Sequence, residues 1–181
     1  MAKPLVATTS LAGCFGCHMS ILDIDERILQ LVELIEFHKS PINDIKQFSQ
    51  RCAVGLIEGA CCNEENVRVL QDFRRHCDIL IALGDCATMG GIPAMRNTIP
   101  LQECLDEAYL NGVTVHNPRR RIPDDPEIPL LLNRVYPATE VVKIDYHLPG
   151  CPPPADTIWE ALVALLTDKP VKLPYALIKY D

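Results

Sequence analysis

The sequence has no apolar run near the ~20 residues that a membrane-spanning helix needs, so no membrane insertion is expected. The N-terminus, Met1-Ala2-Lys3-Pro4-Leu5, soon meets polar Thr8, Thr9 and Ser10. It lacks both the apolar core of a signal peptide and a twin-arginine pair, and the chain is expected in the cytoplasm. Gly/Ser tracts, repeats and long blocks of like charge are missing as well. With 48% hydrophobic and 23% charged residues, this is the composition of a chain that folds rather than one that stays disordered. Positive charge is in deficit: 17 Lys and Arg face 24 Asp and Glu, for a formal charge of -7. That leaves nothing to neutralise a phosphate backbone by net charge, so no nucleic-acid partner is expected. The one basic cluster, Arg119-Arg120-Arg121, runs into Asp124 and Asp125 and reads as a solvated loop patch. At 181 residues a single domain over 1–181 is expected, burying about 70% of its unfolded surface.

Cysteine is plentiful. Nine is an odd count for a disulfide scaffold, and a reducing cytoplasm keeps most of them as thiols, so metal ligation or redox chemistry explains them better.

Four short apolar runs, at residues 5–8, 53–57, 79–83 and 141–144, are predicted as buried strands. Ile21, Ile24, Ile28, Leu31, Val32 and Ile35 follow helical spacing, as do Val67, Leu70 and Phe73 behind a capping Asn63. Leu101, Leu105 and Ala108 continue the pattern after Pro100 and stop at Asn111-Gly112, and a last helix carries Ile158, Leu162 and Leu165. Strands alternating with helices of this length imply an α/β fold: an open, mainly parallel sheet with helices on both faces. Residues 116–137, with Pro118, Pro123, Pro126, Pro129 and Pro137 among mixed charges, fit neither period and read as a long surface excursion.

The cysteines fall at the ends of the predicted strands. Cys14-Phe15-Gly16-Cys17 follows the first, Cys61-Cys62 the second, Cys86 the third and Cys151 the fourth. In an open parallel sheet those ends share one edge, where ligands bind. Cys14, Cys17, Cys86 and Cys151 can therefore converge, and four thiolates satisfy a 4Fe-4S cubane. Any one of them alone reads as a small buried residue; four at strand ends do not. Other readings use the same letters. Cys14-x-x-Cys17-His18 matches the attachment motif of a c-type haem, which needs an exported, mostly helical protein. A thioredoxin-like dithiol leaves Cys86 and Cys151 without a role. A structural zinc accepts four thiolates too, and spacing alone does not separate it from iron-sulfur. Cys52, Cys77 and Cys104 read as packed or near-surface thiols. Cys61 and Cys62 are expected to project toward the same edge as second-tier neighbours of the site, or one of them simply to be packed. Glu58 reads either as a proton relay or, more commonly, as a buried carboxylate that accepts backbone bonds.

Four segments resemble, in order, those of nickel-iron hydrogenase small subunits: Cys14-Phe15-Gly16-Cys17; Ile57-Glu58-Gly59-Ala60; Gly84-Asp85-Cys86-Ala87-Thr88-Met89-Gly90-Gly91-Ile92; and Leu148-Pro149-Gly150-Cys151-Pro152-Pro153-Pro154. The stretch from Cys14 to Glu26 is most similar to the soluble, bidirectional NAD-reducing members. A related subunit of respiratory complex I shares the Pro-Gly-Cys-Pro-Pro motif but places adjacent cysteines after its first strand. Here the adjacent pair follows the second strand, which favours hydrogenase. Many members carry glutamate where this chain has Met19, so their proton-transfer role at that spot does not carry over.

The resemblance implies a flavodoxin-like domain holding one proximal 4Fe-4S cluster on Cys14, Cys17, Cys86 and Cys151. Longer members add a second domain with two more clusters, and only one cluster is expected here. It implies a nickel-iron large subunit as partner, which splits hydrogen, and flavin- and iron-sulfur-containing diaphorase subunits that reduce NAD. The chain itself would be a wire with no catalytic residue. FMN near the subunit interface is a further implication, although no glycine-rich phosphate-binding signature is present. The alternatives are a cytoplasmic nickel-iron hydrogenase with a different acceptor, or a non-redox, structural-zinc protein that binds a partner.

Overall fold

A computed structural model describes residues 3–167 and 169–178, so both ends of the expected 1–181 domain lie outside the described residues. Four parallel pairings build a five-stranded sheet. Its strands are β1 (Leu5–Ser10), β2 (Glu36–Phe37), β3 (Cys52–Glu58), β5 (Cys77–Leu83) and β7 (Tyr146–Leu148), in the order β2-β1-β3-β5-β7. Each predicted apolar run that forms a central strand is almost wholly buried, as a strand covered on both faces must be. β1 sits between β2 and β3, so strand order reverses there and opens a crevice at the carboxyl ends.

One face is covered by α1 (Gly16–Leu22), α2 (Arg27–Leu34) and α7 (Ala155–Leu166). Ile21, Ile24, Leu31, Ile158 and Leu162 on this side pack on Val6, Val54, Leu56 and Ile81. The other face takes α3 (Glu64–His76), whose Leu70 and Phe73 are fully buried beside Ala138 of the short α6 (Ala138–Val141). Asn63 caps α3 as expected, its side chain accepting from the Asn66 amide at 2.8 Å. The mainly parallel α/β arrangement read from the sequence is therefore the one observed.

Two expectations need correction, and a third is decided between its alternatives. The run at 141–144 is not the fourth strand: α6 ends there, and the sheet takes up Tyr146–Leu148 instead. A four-residue apolar run suits a helix end packed on α3 as well as it suits a strand, and period alone does not choose. Cys61 does not project toward the sheet edge but is packed in the core, the second of the two readings offered for the Cys61-Cys62 pair. Both cysteines lie in a two-stranded antiparallel ribbon, β4 (Cys61–Asn63) with β6 (Leu131–Tyr136), and Cys61 is fully buried opposite Tyr136. The 116–137 excursion is not irregular throughout, since β6 closes it; a strand whose partner lies about 70 residues away leaves little local signature. The remaining elements are α4 (Asp85–Met89), a 3-10 segment (Ile92–Thr98), α5 (Leu101–Asp106), which runs into a π turn at Glu107–Asn111, and a second 3-10 segment (Tyr175–Leu177).

Candidate metal centre

The carboxyl ends of β1, β3, β5 and β7 deliver their following residues to one small cavity of about 60 Å³. It is lined by Cys14, Gly16, Cys17, Glu58, Asp85, Cys86, Gly150, Cys151 and Pro152. All four cysteines singled out in the sequence are brought together; Cys61 and Cys62 are not among the lining residues. Cys17 is buried, Cys86 half-buried, and Cys14 and Cys151 exposed, so the cavity opens to the surface through its first and last thiols.

Local structure explains each placement. Phe15, in the left-handed region at φ 68, turns the chain from Cys14 into α1, whose second residue is Cys17. The Phe15 ring stacks on His18 with centroids 4.5 Å apart. Gly84 and Asp85 lead from β5 into α4, which carries Cys86. Gly84 N donates to Leu148 O at 2.8 Å and Asp85 N to Gly150 O at 3.0 Å, while Asp85 Oδ1 accepts from Gly150 N at 2.8 Å. The Cys86 turn and the Cys151 loop are thereby clamped together. Ser20 Oγ donates to Pro153 O, tying α1 to the same loop.

Two glycines leave the sulfurs their room. A Cβ on Gly84, whose φ is +82, would fall 2.3 Å from Cys17 Sγ; one on Gly91, at φ +49, would fall 3.0 Å from Cys86 Sγ. Backbone approaches that close to a sulfur are open to glycine alone.

Glu58, at the end of β3 and 1% exposed, proves to be a carboxylate that accepts backbone bonds. Oε1 accepts from Cys17 N at 3.3 Å and Oε2 from His18 N at 3.1 Å. Oε2 also bonds His18 Nδ1. The buried His18 reaches Thr8 Oγ1 through Nε2 at 2.9 Å, and Thr8 in turn meets Ser40 Oγ at 2.8 Å. Sequence reasoning missed His18 and Asp85. Both adjoin a ligand-type cysteine in sequence, which is the signal that could have found them.

The electrostatics are those of crowded sulfur. Burial, then the charge of Glu58, then Cys86, Cys14 and Cys151 push the Cys17 thiol far above its ordinary range. Cys86 is pushed up by burial and by Cys151, Cys14 and Glu58, opposed by a hydrogen bond from the Ile92 backbone. Thiols crowded in this way would suit a cationic centre, which would invert that balance by deprotonating its ligands outright. Among the described residues, no three His, Cys, Asp or Glu side chains close on one point tightly enough to hold a single metal ion. The four thiols line one cavity together.

The family model described as NADH ubiquinone oxidoreductase, 20 kDa subunit, matches residues 14–165. The NAD-reducing hydrogenase HoxS subunit delta of Cupriavidus necator is 48% identical over 180 residues, covering 99% of this chain and 86% of that one. A subunit of the F420-non-reducing hydrogenase of Methanothermobacter thermautotrophicus is 38% identical over 174 residues; the match takes in 95% of this chain but only 56% of that relative. Among solved structures, an NAD+-reducing NiFe hydrogenase in the H2-reduced state superposes with a TM-score of 0.96 at 47% identity, over 99% of both chains. A reduced, active NiFeSe hydrogenase from Desulfomicrobium baculatum matches at TM-score 0.58 and 17% identity, over 97% of this chain and 68% of that one, and shows a shared fold only.

Proposed function

The chain belongs to the family of the NADH ubiquinone oxidoreductase 20 kDa subunit, as a hydrogenase small subunit of the NAD-reducing kind, and on that premise we propose that it conducts electrons through one 4Fe-4S cluster on Cys14, Cys17, Cys86 and Cys151. The observation that carries the reading is the convergence of these thiols, from separate segments of the chain, on one cavity at the sheet edge. Four thiols supply one ligand for each iron of a cubane, and the family resemblance favours that cluster over a single zinc.

When bound, the cluster supplies reversible one-electron storage. The chain's own part is to hold it and to set its surroundings. Cys14 and Cys151 close the outer side, Cys17 and Cys86 the inner. Glu58 pins the first turn of α1 by taking the Cys17 and His18 amides. Hydrogen is split at a nickel-iron large subunit, and electrons leave toward diaphorase subunits that reduce NAD. Met89, Ile92 and Met95, which follow Cys86 and are 53%, 69% and 67% exposed, offer the large subunit an apolar cover for the open side. No helix among the described residues is long and apolar enough to cross a membrane.

The test is metal analysis of protein purified without oxygen. About four irons and four acid-labile sulfides per chain, lost in Cys151→Ser, are expected. One zinc and no sulfide would leave a structural metal site and end the electron-transfer reading.

A further inference from the structure

The cavity wall carries two acids besides its thiols. Glu58 and Asp85 line it, and no lysine, arginine or histidine does among the described residues. Neither acid is placed as a ligand: each is engaged by backbone donors. The Cys17 and His18 amides donate to the two oxygens of Glu58 and His18 Nδ1 bonds Oε2, and together they fix the carboxylate against the wall. His18 stands behind Glu58, off the cavity lining, with its other ring nitrogen tied to Thr8. Asp85 is fixed by the Gly150 amide, at the clamp between the Cys86 turn and the Cys151 loop.

Reduction of a cluster adds an electron to a centre already surrounded by thiolate charge. Fixed carboxylates on the same wall oppose that addition, and partial burial keeps water from screening them as it would at the surface. Two acids with no base on the wall therefore bias the couple toward the oxidised form. An electron bound for a nicotinamide must leave from a strongly reducing centre, so this bias has a use.

We propose that Glu58 and Asp85 set the reduction potential of the cluster, holding it low so that electrons pass onward to a nicotinamide, with His18 as the positioning residue that orients Glu58. The inference rests on the cluster reading above. It goes beyond that reading by assigning the tuning to two residues that bind no metal.

The experiment is a redox titration of the purified complex, followed by the electron paramagnetic resonance of the reduced cluster, with iron and acid-labile sulfide counted on the same samples. Glu58→Gln and Asp85→Asn keep shape and remove charge. In each, the midpoint moves to more positive potential. With the solution poised at the wild-type midpoint, the reduced-to-oxidised ratio rises at least tenfold, a shift of about 59 mV for a one-electron couple. Glu58→Asp, which keeps the charge, stays near the wild-type midpoint. Unmoved midpoints in the two amide variants, with full iron and sulfide, overturn the proposal and leave the cluster reading standing. A wild-type protein without iron and sulfide overturns the cluster reading itself. Should either amide variant fail to assemble, the other carries the comparison.

Discussion

Replacing Gly84 by alanine tests the geometry of the site at its tightest point. Gly84 holds φ 82 and ψ 167, a region closed in practice to residues with a Cβ, and entering it costs about 1–3 kcal/mol. The added carbon would sit 2.3 Å from Cys17 Sγ and 3.3 Å from the Gly150 carbonyl oxygen, so neighbours must move, which adds about 1–3 kcal/mol for overpacking. The sum, about 2–6 kcal/mol, is a large part of the ~5–15 kcal/mol that stabilises an ordinary domain. Guanidinium unfolding of the full chain, purified with its iron, reads that loss as a lower midpoint at unchanged slope. Iron and sulfide content should fall in parallel, because Cys17 is the residue displaced. Gly13→Ala is the control. Its Cβ would meet nothing closer than the Gly59 Cα at 3.4 Å, an ordinary contact. A Gly84→Ala protein within ~0.5 kcal/mol of wild type and fully loaded with iron would refute the reasoning, since substitutions without a specific cost fall in that range.

Two further outcomes follow from the same structure. Cys61→Ala should retain iron and sulfide at wild-type levels, because Cys61 packs in the β4–β6 ribbon and its thiol, pushed up to about 12 chiefly by burial, lines no part of the cavity; loss of iron would show the ligand set to be wrong. Asp145 sits under opposing influences: burial pushes its carboxyl up, but Arg74 Nη1 at 2.7 Å, the Leu80 amide at 2.9 Å and the charges of Arg74 and Lys143 bring it below the ordinary value. A carboxyl lowered in the folded state stabilises above its unfolded value of about 4, and that stability is lost as pH falls through the folded value. The stability gap between wild type and Asp145→Asn should therefore be full near pH 7 and close below about pH 4. A gap unchanged from about pH 7 to about pH 3 would contradict this account.

Much of the fold was legible because its signals are local. Buried parallel strands read as short apolar runs, and β1, β3 and β5 extend those runs by only one or two residues at an end. Asn63 announces α3 through a cap that needs only the next turn. What was illegible depends on distant partners. β6 is a strand because β4 lies beside it, and the burial pattern of Leu131–Tyr136 shows no clean alternation to advertise that pairing. The shift of the last sheet strand from 141–144 to Tyr146–Leu148 is decided by register against Ile81–Leu83. The thiols of the candidate site were legible from topology, since cysteines at successive strand ends must share an edge. Its polar support was not: the Glu58 carboxylate meets the amides of residues some 40 positions away, and no spacing rule announces that contact.

The dispersal of the thiols along the chain has a consequence for biogenesis. Cys14 and Cys151 lie far apart in the sequence and meet only after β1, β3, β5 and β7 have taken their places side by side. An unfolded chain offers no four-thiol site, only the local Cys14–Cys17 pair. With the proposed cluster on these thiols, loading iron and sulfide would be a late event, coupled to completion of the sheet, and its binding free energy would be returned as folding free energy. Stripping the metal from the proposed site should loosen β7 most, because the Cys151 loop would then be held by β7, a strand of three residues, by the Asp85 clamp and by the Ser20 bond to Pro153.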